Sequence, residues 1–217
     1  MKKYENSFFI LNCAENDPYK DAIIEALNTR TQAISEFFGI SQMDKKVLVK
    51  IYYSIDEFKD YLIPYLNNGK YYDWMIASTH DGNINNLSFE CCQRIYSHQN
   101  ITLKEYLDDI IHECVHSFHH ALKGDNYTQN GWFHEALATN LSNQDYEECD
   151  ITCTLEELKK DYDDVYNQYN ISYTLGKYLL ENYSREFILS LCKDEKKLDE
   201  FAPELFEKVK NQRRFKK

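Results

Sequence analysis

Glycine and proline are scarce, 6 and 3 in 217 residues. Loop-rich architectures need many of both, so long regular elements with short connections are expected. No CxxC pair occurs among the 7 cysteines, which stand at positions 13, 91, 92, 114, 149, 153 and 192. That argues against a thiolate zinc site, and the odd count with irregular spacing argues against a disulfide framework. Free thiols imply a reducing compartment, so a cytoplasmic protein is expected. No apolar run approaches the roughly 20 residues of a membrane span. The run Phe8 to Leu11 is too short for a signal core. Basic residues are outnumbered, 25 Lys and Arg against 36 Asp and Glu, for a formal net charge of -11. Phosphate binding needs clustered cations, so nucleic acid is not an expected partner, and neither is a membrane. The basic tail, Arg213 to Lys217, reads as a solvated helix end.

Hydrophobic residues make up 43% of the chain, with 18 Tyr and 12 Phe, enough for an aromatic-rich core. Asp17-Pro18 opens a helix whose apolar positions run to Gly39. Val47 to Tyr53 is β-branched and aromatic, hence a strand. Ser54 with Glu57 is a capping box for a helix to about Leu66. Trp74 to Ser78 and Ile84 to Phe89 read as strands around the turn His80-Asp81-Gly82-Asn83. Thr102 with Glu105 opens a helix to about Leu122, stopped by Gly124. Further helices are expected near 132–142, from Thr154 onwards, and over 171–182, 184–192 and 203–212. The fold class is therefore α+β: a small N-terminal α/β lobe with a mixed sheet, over 1–100, and an all-helical lobe over 101–217. Together the two lobes are expected to form one domain over 1–217.

His112-Glu113-Cys114-Val115-His116 is an HExxH motif inside a helix. Residues four apart share a helix face, so His112 and His116 can offer two nitrogens to one metal. Glu113, on the adjoining flank, is placed to act as a base. Chance alone would give only about 0.02 such motifs in a chain of this composition. A catalytic zinc takes three protein ligands and keeps one position open. The metzincin arrangement would need Gly and His at positions 119 and 122, which hold His119 and Leu122. The other solution is a Glu from the next helix, and Glu135 follows His116 by 19 positions. Extra ligand roles for His119, His120 and His134 are not needed, and Cys114 reads as core. Tyr166, Tyr169 and Tyr173 recur at helical spacing and read mainly as a core stripe.

Over about residues 75 to 192 the chain resembles the gluzincins, zinc peptidases in which HExxH is followed after eighteen residues by Glu within W-x-x-E-G-x-A. Trp132, Glu135 and Ala138 match that pattern, and Ala136 stands where Gly is usual. Ala77 to Ile84 is similar to the strand that edges the gluzincin cleft, and Tyr173 to Leu180 to the helix behind the site. Thr139 departs from the family, whose thermolysin-like members carry an Asp there to orient a ligand His. The aminopeptidase motif Gly-x-Met-x-Asn is not matched by Asp81 to Asn86, which points to an endopeptidase.

The resemblance implies one zinc ion per chain, held by His112, His116 and Glu135, with Glu113 as general base. It also implies that Tyr173 donates to the oxyanion and that a peptide or protein substrate lies along the strand near 77–84. The alternative is a catalytically silent, zinc-bearing binding or regulatory module of the same fold.

Overall fold

The computed structural model describes residues 3–66, 69–123, 130–160 and 162–214. The chain forms two compact units, Met1–Ala121 and Leu122–Lys217. It joins a five-stranded mixed sheet to a mainly helical C-terminal region, the α+β layout expected. The division falls at the end of the HExxH helix.

The first unit holds strands β1 (Tyr4–Glu5), β2 (Phe9–Asn12), β3 (Val47–Tyr52), β4 (Ala77–His80) and β5 (Asn83–Leu87). Their spatial order is β1-β2-β3-β5-β4. The pairs β2–β3 and β3–β5 are parallel, whereas β1–β2 and β4–β5 are antiparallel. Helices α1 (Lys20–Thr29) and α2 (Thr31–Phe38) connect β2 to β3, and α3 (Ile55–Leu62) follows β3. Next come α4 (Phe89–Cys92) and the long helix α5 (Leu103–Lys123).

Side-chain parity divides the sheet into two faces. Phe9 of β2 meets Phe118 of α5, and Phe38 of α2 stacks on the same ring. Phe9 pairs with Val47 and Val49 pairs with Ile84, so these residues share the face that α5 covers. Tyr52 meets Phe58 and Tyr61 of α3 on the opposite face. The asparagine Asn85 is satisfied on that side, where its amide donates to the Tyr61 hydroxyl at 2.9 Å.

The helix expected from Asp17 to Gly39 is broken. Asp17 caps a turn by accepting from the Tyr19 amide at 2.7 Å, and α1 ends at Thr29. Thr31 turns its hydroxyl back to the Leu27 carbonyl. Arg30, at the break, reaches the buried carboxylate of Asp108 at 2.7 Å, and Lys104 meets that carboxylate at 2.8 Å. This ion-paired group fastens α5 where α1 gives way to α2. Gly39 ends α2 in the left-handed conformation, φ 68°.

The second unit is built from α6 (Gly131–Leu141), α7 (Leu155–Lys160), α8 (Gln168–Asn182), α9 (Arg185–Lys193) and α10 (Glu195–Arg214). Its principal packing is α6 against α8. A Cβ at Gly176 would lie 2.2 Å from the Ala136 carbonyl oxygen, so only glycine permits that approach. The Asn140 amide donates to the Ala136 carbonyl at 2.8 Å and to the Tyr173 carbonyl at 3.0 Å, which ties the two helices. Helix α10 begins eight residues before the expected start and carries Pro203 in its interior. Among the described residues, no helix is long and apolar enough to cross a membrane. Gly124, the expected stop of α5, and the last three residues of the basic tail lie outside the described residues.

Candidate metal centre

The HExxH helix is started by its own sequence. The Thr102 hydroxyl accepts from the Glu105 amide at 3.2 Å, and the Glu105 carboxylate accepts from the Thr102 amide at 2.7 Å. This reciprocal cap satisfies donors that the first helical turn leaves unpaired. Tyr106, Ile110, Cys114 and Phe118 are fully buried and seat one stripe of α5 in the core. Cys114 is part of that stripe. Burial, and then the charge of Glu113, raises its thiol well above the ordinary value, so it stays protonated.

His112 and His116 project from successive turns, each 8% exposed. Their Nε2 atoms lie 3.0 Å apart, with the rings at 77° to one another. Two imidazole nitrogens this close share either a proton or a cation. Nitrogens about 2.05 Å from one tetrahedral zinc would stand about 3.3 Å apart, so the pair fits a zinc ion after a small adjustment. The donor chemistry agrees, since neutral imidazole suits zinc.

Glu113 is equally buried, at 8% exposure. Its carboxylate oxygen Oε2 accepts a hydrogen bond from the Thr79 hydroxyl at 2.6 Å. Thr79 Oγ1 is also 3.1 Å from the Glu113 carbonyl oxygen, but it has one proton and the shorter contact is to the carboxylate. The Ser117 hydroxyl donates to that carbonyl at 3.1 Å. The edge strand expected over Ala77 to Ile84 includes Thr79, and the sequence alone assigns it no partner. The missing signal was parity: Thr79 pairs with Ile84, and Ile84 lies on the face covered by α5.

The remaining expected site residues lie in the second unit. Glu135 occupies the second turn of α6 and is half-buried. Thr139, fully buried, donates to the Glu135 carbonyl at 2.7 Å, so the residue that departs from the gluzincin pattern bonds to its own helix. Tyr173, half-buried on α8, lies against the Tyr146 ring at 6.3 Å between centroids. Tyr166 is 81% exposed, which removes it from the expected core stripe. His119 is buried in the core, with its ring against that of Phe38.

Compared with protein-family models, curated proteins and solved structures, the chain matches none.

Proposed function

We propose that this protein is a zinc-dependent hydrolase of the gluzincin type. Its reaction is hydrolysis of internal peptide bonds in peptide or protein substrates. The observation that carries this reading is the convergence of the His112 and His116 Nε2 atoms to 3.0 Å beside the buried Glu113. His112, His116 and Glu135 supply two imidazole nitrogens and a carboxylate, a set that could hold one metal ion.

Bound zinc supplies Lewis acidity and lowers the pKa of a coordinated water towards about 7. The chain's own residues do the rest. Glu113 accepts a proton from the attacking water and delivers it to the leaving amine nitrogen, so proton count is conserved across the step. Tyr173 donates a hydrogen bond to the oxygen that gains charge. β4 ends the sheet, and its outer edge offers main-chain groups that can pair with an extended peptide. The formal charge of -11 disfavours nucleic acid as a partner. Free cysteines, five of them buried, favour a reducing cytoplasm.

Metal analysis tests the ligand set. The purified chain is expected to carry one zinc, and His112→Ala, His116→Ala and Glu135→Ala should each sharply reduce it. Chelation should lower the melting temperature, because the ion binds the folded state preferentially. Full zinc occupancy in Glu135→Ala would remove Glu135 from the set. A zinc-loaded protein that cleaves nothing would favour a silent binding module.

A further inference from the structure

We propose that Thr79 is a positioning residue for the base, holding Glu113 Oε2 so that Oε1 takes the proton. This rests on Glu113 being the base. Thr79 belongs to β4 and Glu113 to α5, so the bond at 2.6 Å joins the sheet edge directly to the motif helix. Its length is that of a hydroxyl donating to an ionised carboxylate. A second close approach, of the β4–β5 turn to α5, lies seven residues along that helix. There a Cβ on Gly82 would meet the His120 ring at 3.1 Å. Gly82 has φ +71° and Asp81 φ 48°, the left-handed pair of a tight two-residue turn. The hairpin is thus set along α5 at two points, and Thr79 is held where its hydroxyl can reach the carboxylate.

Chemically, the bond selects an oxygen. A glutamate side chain has three rotatable bonds and two equivalent oxygens. With Oε2 engaged by a hydroxyl, the proton from the attacking water goes to Oε1, and the carboxylate does not have to be reoriented for each turnover. Because β4 is also the proposed substrate-pairing strand, one strand would align the peptide by its backbone and the base by the Thr79 side chain.

The test uses Thr79→Val, Thr79→Ser, Glu113→Ala and the double variant Thr79→Val with Glu113→Ala. Valine keeps the β-branched shape suited to a strand and removes only the hydroxyl. Thr79→Val should lower kcat about tenfold, with KM within about twofold and zinc content unchanged. Thr79→Ser, which keeps the hydroxyl, should recover most of the loss. In the Glu113→Ala background, Thr79→Val should lower kcat no further. Unfolding of the same proteins gives a readout that needs no turnover. Thr79→Val should change the unfolding equilibrium constant about tenfold more in the wild-type background than in Glu113→Ala. Unchanged kcat in Thr79→Val, or an equal loss in both backgrounds, overturns the positioning role and leaves the peptidase reading standing. If the wild type cleaves nothing, the peptidase reading falls, and the positioning role falls with it. The unfolding cycle still decides whether Thr79 holds Glu113, and additive effects on stability would overturn the contact itself.

Discussion

Replacing Gly176 by alanine puts one carbon 2.2 Å from the Ala136 carbonyl oxygen, 2.5 Å from the Asn140 amide nitrogen and 2.8 Å from the Ala136 carbonyl carbon. Two of those atoms are backbone, so no flexible side chain can swing aside. Helix α8 must move away from α6 by roughly 1 Å to restore ordinary contact. Such overpacking costs about 1–3 kcal/mol. The movement also stretches the bond that the Asn140 amide makes across the crossing to the Tyr173 carbonyl, at 3.0 Å. That bond is worth about 1 kcal/mol. Against this, alanine is favoured over glycine inside a helix by about 1 kcal/mol. The net loss is about 1–3 kcal/mol, or a fall in melting temperature of about 2–12 °C for a chain of this size. Thermal unfolding followed by circular dichroism measures it. An unchanged or raised melting temperature would refute the close crossing at Gly176. Ala136 directly follows the proposed ligand Glu135, so the same variant should also bind zinc more weakly.

Tyr173→Phe should lower kcat about 100-fold and leave KM nearly unchanged if the hydroxyl serves the reaction. A small loss of stability with unaltered kcat would make Tyr173 a packing residue. Thiol labelling at pH 8 should modify Cys149 and Cys153 first, because the other five cysteines are buried. Burial pushes the Cys192 thiol up to about 12, so only about one molecule in ten thousand carries its thiolate at pH 8. Rapid labelling of more than two thiols in the native protein would contradict the described core.

Sequence was most informative where structure is local. The capping boxes at Thr102 and Thr154 form both reciprocal bonds that their spacing implies, and Ser54 caps its helix by accepting from the Glu57 amide. The tight turn at Asp81-Gly82 follows from residues that tolerate positive φ. The strand β2 was missed because Phe9 and Leu11 face one side while Phe8 and Ile10 are apolar too, which erases the alternation of a half-buried strand. The early start of α10 was hidden by Pro203, whose usual place is the first helical turn. The break at Arg30 depends on Asp108, 78 positions away, so no local pattern could announce it. The site divides in the same way. His112, Glu113 and His116 are legible because one helix carries them at fixed spacing. Thr79 is not legible, because its role comes from which face of β4 meets α5. Tyr166 shows the opposite failure: helical spacing suggested burial, and the side chain is exposed.

The most direct test of the central claim is the rate at which zinc-loaded wild type and Glu113→Gln cleave a diverse peptide library, followed by mass spectrometry. The substitution keeps the size of the side chain and removes its ability to take up a proton. Wild-type protein should cut internal peptide bonds, and Glu113→Gln should cut the same bonds at least about 100-fold more slowly. Equal cleavage by the two proteins, or none by the wild type with zinc bound, would contradict a peptidase that uses Glu113 as its base.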